Sequence, residues 1–274
     1  MKSPKSPARW RLLTIPVLVS VVGAVAFAPL GTSASAAPAA TFSDDFDGAA
    51  GAPADGSKWT YETGDNGGNN HERQWYTDGA ANAALDGQGN LVITAKKEDS
   101  GNTCWYGACE YTSARLNTSG KFDTASGHIE ARMKLPRGQG MWPAFWMLGG
   151  SNWPADGEID VMENIGKEPN TVHGTIHGPG YSGEGGIGAP YDGPNFSDDF
   201  HTFAVDWTDN QIVWSVDGNA YQTRTPADLN GNQWVYNHPF FLILNLAVGG
   251  DWPGDPDDST QFPQQLVIDY VHVS

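Results

Sequence analysis

The sequence predicts an all-β protein built as a sandwich or barrel of many short strands. Strand-like segments recur along the chain, separated by clusters of Gly, Pro, Asn and Asp, which favour turns. No window of about 12 residues shows the apolar stripe of an amphipathic helix. The chain holds 34 Gly and 18 Pro, but its aromatic content of 11% is too high for a disordered chain.

The strand signal is clearest at residues 129–135, where Ile129, Ala131 and Met133 alternate with charged residues. This period of two is typical of a strand with one buried face. The triplet Asp217-Gly218-Asn219 separates two such segments and predicts a hairpin turn. The predicted strands lie at residues 91–96, 129–135, 145–148, 158–163, 172–177, 203–207, 212–216, 240–248 and 266–273.

The first 36 residues have the layout of a secretory signal peptide, so the predicted domain is a single one at residues 37–274. Four bases and no acid precede an apolar run at residues 12–30, and Ala34-Ser35-Ala36 follows as a small-residue cleavage site. A membrane anchor is the alternative, but Pro16 interrupts a run that is already short for a span. We therefore expect a secreted, extracellular protein.

The formal charge of −17 limits the partners that the protein can bind. Nucleic acids and anionic membrane surfaces are themselves negative, so neither is an expected partner. A neutral substrate needs no charge attraction and is compatible with an acidic surface. A single extracellular domain of this size is expected to be a monomer.

The two cysteines, Cys104 and Cys109, are close together in the sequence and enclose only four residues. In an extracellular protein such a pair predicts a local disulfide that braces a loop. Two free thiols are the alternative. The spacing matches neither a C-x-x-C motif nor a zinc-binding pattern.

The segment GEIDVMEN at residues 157–164 carries three acids on one predicted strand. Side chains alternate between faces, so Glu158 and Asp160 share a face while Ile159 points into the core. Strict alternation would bury Glu163, which is costly for a lone carboxylate. We therefore predict a β-bulge near Met162, which returns Glu163 to the acidic face and gives Met162 to the core.

Two glutamates on one face suit acid–base and nucleophilic chemistry on a sugar. The bulge leaves their Cα atoms about 13 Å apart, so inward-leaning carboxyls could approach to about 5–5.5 Å, the separation of a retaining glycosidase. Crowded carboxyls also raise at least one pKa, as general acid catalysis near neutrality requires. A solvated acidic face or a Ca²⁺ site are the alternatives.

Tryptophans near the acidic segment favour the sugar-binding interpretation over the alternatives. Trp faces stack on the apolar faces of sugar rings, although a lone Trp is more often part of a core. Several of them flank the three acids, at Trp142, Trp146, Trp153 and Trp252.

These residues also carry a resemblance to a known family. The segment GEIDVME at 157–163 resembles the E-x-D-x-x-E signature of glycoside hydrolase family 16, in the bulged form of its laminarinase-type endo-1,3-β-glucanases. Residues 140–148 resemble the strand that precedes this signature, and His71 stands as an inserted residue relative to the family pattern. Further matches lie at residues 70–77, 111–116, 245–250 and 268–271, so the resemblance covers about residues 42–273.

The resemblance implies a jelly-roll sandwich of two curved antiparallel sheets with a concave substrate cleft. It implies retaining hydrolysis of internal β-1,3 bonds in β-glucans such as laminarin, with no cofactor for catalysis. Glu158 would be the nucleophile, Asp160 its helper and Glu163 the acid/base, with His177 nearby. The implied sugar contacts are Asn69, Arg73, Trp142, Trp146, Trp153, Asn245 and Trp252.

Many relatives carry a structural Ca²⁺ on the convex side of the sandwich. By position its ligands here would be Asp45, the carbonyl of Gly89, and Asp269. Ordinary surface acids are the alternative at Asp45 and Asp269. Oxygen ligands from both ends of the chain would link the termini of the domain.

Three other functions remain open from the sequence alone. The same fold could act on mixed-linkage β-1,3-1,4-glucan, on galactans or on sulfated chains, although a sulfated substrate would favour a basic cleft. A non-catalytic glucan-binding protein would have little use for both carboxylates. A calcium lectin with a similar jelly roll would have no reason to hold two glutamates at this spacing.

Overall fold

Strands form where apolar side chains alternate along the chain, and turns form where Gly, Asn and Asp interrupt them. The computed structural model describes Met1 and residues 41–274, and the latter fall within one compact unit, Pro38–Ser274. The predicted signal peptide and residues 37–40 therefore lie outside the described residues, apart from Met1. In the described part of the chain, no helix is long and apolar enough to cross a bilayer.

The described residues contain β-strands and three short 3₁₀ helices, Asn66–His71, Gly183–Gly185 and Pro226–Leu229. In chain order the strands are β1 Phe42–Asp44, β2 Thr60–Glu62, β3 Gln74–Tyr76, β4 Ala83–Leu85, β5 Leu91–Lys97, β6 Thr103–Cys104, β7 Gly107–Ala108, β8 Tyr111–Ser113, β9 Arg115–Asn117, β10 Gly127–Lys134, β11 Met141–Leu148, β12 Glu158–Glu163, β13 Thr171–His177, β14 Ile187–Asp192, β15 His201–Thr208, β16 Gln211–Val216, β17 Asn219–Arg224, β18 Phe241–Val248 and β19 Gln264–Val273.

Two large sheets form the predicted sandwich. The ten-stranded sheet has the order β17-β16-β15-β10-β19-β5-β8-β3, with β1 added beside β19 and β4 beside β5. The seven-stranded sheet has the order β14-β13-β12-β11-β18-β9-β2. Pairing is antiparallel except between β3 and β8, which are parallel. The predicted all-antiparallel arrangement is therefore correct for all but this one short pair.

The core lies between the two sheets and is built by alternating side chains. On β11, Met141, Phe145 and Met147 belong to the core, while Trp142 and Trp146 are half-buried on the other face. Each fully buried large apolar side chain contributes roughly 1.5–3 kcal/mol to folding. The outer face of the seven-stranded sheet, which we call the open face, is thus left with polar and aromatic residues.

Two local predictions are confirmed by the structure. Asp217 and Gly218 connect β16 to β17 and have φ angles of 49° and 74°, as a tight hairpin turn requires. Cys104 and Cys109 are joined in a disulfide that closes the β6–β7 hairpin.

Candidate active site

The predicted bulge in β12 is present. Against β11, Met162 pairs with Phe145 but Asp160 pairs with Trp146, so Val161 is an extra residue. The register against β13 shifts in the same interval of β12. Met162 is fully buried in the core, whereas Glu163 is half-buried, as the bulge requires.

The bulge is held from the opposite sheet. Trp214 on β16 is fully buried and donates its indole N–H to the carbonyl oxygen of Asp160 at 2.8 Å. This hydrogen bond satisfies a buried acceptor beside the irregular pairing of β12. Gly174 on β13 makes room, because a methyl group there would lie 2.3 Å from the Trp214 ring.

Glu158, Asp160 and His177 form a compact cluster on the open face. Glu158 is directly opposite His177 in the β12–β13 pairing, and His177 Nε2 lies 3.1 Å from Asp160 Oδ2. One side-chain donor or acceptor atom from each of the three lies within 4.8 Å of the others. The placement of Asp160 beside Glu158 agrees with the sequence-based expectation.

Indole groups donate hydrogen bonds to both glutamates. Trp142 Nε1 donates to Glu163 Oε1 at 3.0 Å, and Trp153 Nε1 donates to Glu158 Oε2. These donors orient the carboxylates and stabilise their ionised forms. Sequence reasoning assigned both tryptophans to sugar contact and did not anticipate these hydrogen bonds.

The pKa values of the three carboxyls of β12, those of Glu158, Asp160 and Glu163, are all raised. Burial, followed by the charge of Asp160, raises the pKa of Glu158 to about 8. Burial, followed by the charge of Glu158, raises the pKa of Glu163 to about 7. Burial and the charge of Glu163 raise the pKa of Asp160 well above its ordinary value. Carboxyls this close titrate as a group that holds protons in common near neutral pH.

The same cluster could in principle hold a cation, because it offers two carboxylates and an imidazole. The indole donor of Trp153 argues against that use. Trp153 directs an N–H at Glu158 Oε2, so a positive hydrogen already faces one of the carboxylates that would bind the ion. Such a donor competes with a metal ion for the same lone pairs.

A second hydrogen-bond chain runs from β11 through β18 to β3. Trp146 Nε1 donates to Asn245 Oδ1 at 2.7 Å, and Asn245 Nδ2 donates to the Tyr76 hydroxyl at 3.2 Å. The Tyr76 hydroxyl donates to Glu72 Oε2 at 3.4 Å. The predicted residues Trp146 and Asn245 are thus brought together.

Sequence reasoning missed Glu72 and Arg115 as parts of this face. Glu72 is buried, and burial raises its pKa, although Gln74 donates to it at 2.7 Å. The guanidinium of Arg115 lies over the Trp146 ring at 4.8 Å. Both residues stand in segments that the resemblance covers, but Glu72 lies in a loop and Arg115 begins a three-residue strand, and neither gives a periodic signal.

The remaining predicted sugar contacts are held by neighbouring rings and loops. The Trp252 ring meets the Trp142 ring edge-on at 5.6 Å and is 37% exposed. Asn69 is exposed, and its carbonyl accepts the Glu72 N–H at 3.2 Å. Arg73 forms an ion pair with Asp255 at 2.8 Å.

The inserted residue His71 is accommodated by left-handed backbone. Asn70 and His71 both have a φ of 53°, which lets the chain turn tightly at the end of the 3₁₀ helix. His71 Nδ1 then lies 2.9 Å from Asp251. The insertion therefore joins this loop to the loop that carries Trp252.

The predicted calcium ligands lie on neighbouring strands of the ten-stranded sheet or beside them. A methyl group at Gly89 would lie 3.8 Å from both the carbonyl oxygen of Asp45 and Oδ1 of Asp47. These are hard oxygen donors of the kind that Ca²⁺ prefers. The carboxylate of Asp269 is instead paired with Arg132. The Asp45 carboxylate is likewise paired, with His272 Nε2 at 2.8 Å. The fit is thus best at the carbonyl oxygen of Asp45, at Asp47 and at Gly89.

Comparison with known proteins places these features in a family. A profile described as Glycosyl hydrolases family 16 matches residues 69–272. The beta-glucanase of Rhodothermus marinus is 42% identical over 246 residues, covering 85% of this chain and 83% of that protein.

Solved structures agree with the profile. The laminarinase catalytic domain of Thermotoga maritima MSB8 is 46% identical with a TM-score of 0.80, and the match covers 86% of this chain and 97% of that one. The endo-beta-1,3-glucanase of Pyrococcus furiosus is 44% identical with a TM-score of 0.79, covering 85% and 93%.

Proposed function

The chain belongs to glycosyl hydrolase family 16, and on this premise we propose that it hydrolyses internal β-1,3 bonds of β-glucans such as laminarin. It is a glycoside hydrolase, and the proposed reaction retains the anomeric configuration. The observation that carries the proposal is the bulge of β12, which leaves Glu158 and Glu163 on the open face with an indole N–H donated to each.

The first proposed step forms a covalent glycosyl-enzyme. A carboxylate oxygen of Glu158 attacks the anomeric carbon while the bond from that carbon to the glycosidic oxygen breaks. Glu163 gives its proton to the departing oxygen. The raised pKa of Glu163, about 7, supports this role because a solvated glutamate would rarely hold a proton near neutral pH.

The second proposed step reverses these roles with water. Glu163, now ionised, takes a proton from a water molecule whose oxygen attacks the anomeric carbon. The bond to Glu158 breaks, and the sugar leaves with its original configuration. Asp160 and His177 are positioning residues in this scheme, because their contact at 3.1 Å fixes the carboxylate next to Glu158.

The proposed substrate is supported by the negative charge of the protein and by the activities for which its relatives are named. The protein is acidic, with a formal charge of −17, so it would repel a sulfated chain but not a neutral polysaccharide. Relatives that match most of this chain are named for β-glucan and endo-1,3-β-glucan hydrolysis. Comparison of laminarin with barley glucan separates pure 1,3 from mixed-linkage preference.

Glutamine variants test the catalytic assignment. Glu158→Gln and Glu163→Gln are each expected to lower the release of reducing sugar from laminarin by at least about 10³-fold. Glu130→Gln, on β10 of the other sheet, is the control and is expected to keep full activity. Laminarin hydrolysis at the wild-type rate by either of the first two variants would contradict the assignment.

We also propose secretion, with removal of residues 1–36. The disulfide between Cys104 and Cys109 supports an oxidising environment. Expression of the full chain in a secreting host should give an extracellular protein whose N-terminal residue is Ala37. Retention of residues 1–36 on a membrane-bound product would contradict this proposal.

A structural Ca²⁺ is proposed near the paired chain ends. Asp45, Asp47 and Gly89 would hold it through oxygen atoms, and Asp269 on β19 would join them only by leaving Arg132. When bound, the ion would link the loop after β1 to the loop before β5 and so stabilise the sandwich.

A further inference from the structure

Trp105 has no place in the scheme above, yet it is one of the most exposed tryptophans among the described residues. It is 46% exposed, compared with 49% for Trp153 and 37% for Trp252. The other two adjoin the catalytic carboxylates, directly in the case of Trp153 and through Trp142 in the case of Trp252. An indole left this open in water has an unused apolar face.

Trp105 is linked to the catalytic face through a short run of loop contacts. Trp142, which donates to Glu163, packs against the loop at Gly250. A methyl group at Gly250 would lie 3.4 Å from the Trp142 ring and 3.1 Å from the carbonyl oxygen of Asn70. The surface beside Glu163 therefore continues directly onto the Asn66–His71 segment.

The Asn66–His71 segment in turn contacts Trp105. The Asp251 N–H donates to the Asn70 carbonyl at 2.8 Å, and His71 Nδ1 lies 2.9 Å from the Asp251 carboxylate. The His71 ring is 4.9 Å from the Trp105 ring. Trp105 thus lies one ring contact beyond His71, on the surface that begins at Trp142 and Glu163.

The Trp105 ring is held in place before any ligand binds. Its Nε1 donates to the Glu72 carbonyl at 2.6 Å, and its backbone N–H donates to Asp65 at 2.9 Å. The backbone of Gly68 supports the side chain, since a methyl group there would lie 3.0 Å from Trp105 Cγ. The Cys104–Cys109 disulfide closes the loop that carries it. A platform ordered in advance loses little entropy on binding.

We propose that Trp105 forms a distal sugar-binding subsite, where one glucose ring of a bound β-1,3-glucan stacks on the exposed indole face. This inference rests on the proposed function and adds a determinant of chain-length preference. Sugar C–H groups packed on the indole would be removed from water together with its apolar face. Only substrates long enough to reach from the carboxylates to Trp105 gain this contact.

Chain-length kinetics test the subsite. Trp105→Ala is expected to lower kcat/KM for a β-1,3-linked glucose hexasaccharide by about tenfold and to leave that for the trisaccharide unchanged. Trp105→Phe keeps an aromatic face without the Nε1 donor and should retain most of the hexasaccharide rate. An equal loss on both substrates, or no loss on either, would overturn the proposal.

Oxidation mapping gives a second test that needs no substitution of Trp105. In the Glu158→Gln protein, the hexasaccharide should protect Trp105 from N-bromosuccinimide oxidation, measured by peptide mass spectrometry, and the trisaccharide should not. Equal oxidation of Trp105 with and without hexasaccharide would overturn the subsite. Failure of the wild-type enzyme to cleave either oligosaccharide or laminarin would instead contradict the proposed function.

Discussion

At the scale of single residues, the site depends on placing carboxyls where water cannot fully solvate them. Asp160 is 2% exposed and lies between two half-buried glutamates. Burial and mutual repulsion raise all three pKa values, which keeps a proton available for transfer near neutral pH. The indole donors of Trp142 and Trp153 act in the opposite direction and limit the pKa increase.

The pH dependence of kcat/KM should reflect these pKa shifts. Activity needs an ionised Glu158 and a protonated Glu163, and their pKa values are raised to about 8 and about 7. Because the nucleophile has the higher pKa, this active form is the minority of the singly protonated pair, and it is most populated between the two values. We expect a bell-shaped profile whose limbs both lie above the ordinary glutamate pKa of 4.5. The measurement is kcat/KM on laminarin by steady-state kinetics between about pH 4 and about pH 10. Full activity at pH 4 would contradict the shifts.

The stability of the fold should fall over the same pH interval. Glu158 has a higher pKa in the folded protein than its ordinary value, so the folded state binds more protons than the unfolded state between those values. The free energy of unfolding therefore decreases as the pH rises through this window. Thermal unfolding at constant ionic strength should show that Glu158→Gln is more stable than wild type at about pH 9 but not at about pH 4. An equal gain at both pH values would contradict the shift.

Single residues also mark what the sequence could and could not predict. Glu158, Asp160 and Glu163 are predicted because a repeated acidic pattern and a family signature coincide, and His177 is implied by the resemblance alone. The structure brings all four together. The part played by Glu72 was not predicted. Its carboxylate accepts hydrogen bonds from Asn70 in the first 3₁₀ helix and from Gln74 and Tyr76 on β3. No local sequence pattern reveals these contacts.

At the scale of elements, the bulge of β12 is the feature on which the site depends. It was predicted because a regular strand would have buried Glu163 without a partner. The hydrogen bond from Trp214 to the Asp160 carbonyl could not be predicted, because it joins strands 54 residues apart in different sheets. Strand length sets a similar limit. Long alternating strands such as β10 were predicted, whereas three-residue strands such as β2 and β4 give no periodic signal.

Paired tryptophan variants test how the bulge is held. Trp214→Phe removes the donor to the Asp160 carbonyl and should lower the free energy of unfolding by about 1–3 kcal/mol. It should also lower kcat, because β12 can relax. Trp207→Phe is the matched control, since Trp207 is equally buried and donates to the Tyr236 carbonyl at 3.0 Å.

The control should lose similar stability while keeping its kcat. Denaturant unfolding and laminarin kinetics on both variants provide the comparison. Equal kcat values for Trp214→Phe and Trp207→Phe would show that the cross-sheet hydrogen bond contributes to stability alone.

At the scale of the whole molecule, the two ends of the described sandwich meet in one sheet. Phe42 on β1 pairs with Val273 on β19, β5 pairs with the earlier part of the same edge of β19, and β10 lies on the other edge. The proposed Ca²⁺ ligands lie where these strands converge, away from β12. The predicted fold and enzyme class are confirmed, whereas the monomeric state and the calcium site stay predictions.

Metal removal tests the calcium site. Treatment with EDTA should lower the melting temperature by about 5–10 °C, and an excess of CaCl₂ should restore it. Asp47→Asn should lower the response to EDTA because it weakens an oxygen donor beside Gly89. An unchanged melting temperature after EDTA treatment would count against calcium.

The assignment of Glu158 and Glu163 to different roles is tested most directly by azide rescue of their alanine variants on an aryl β-glucoside with an activated leaving group. Azide should replace the missing nucleophile in Glu158→Ala and yield the α-glycosyl azide. In Glu163→Ala it should attack the glycosyl-enzyme and yield the β-glycosyl azide. The reverse pair of anomers, identified by proton NMR, would contradict the account.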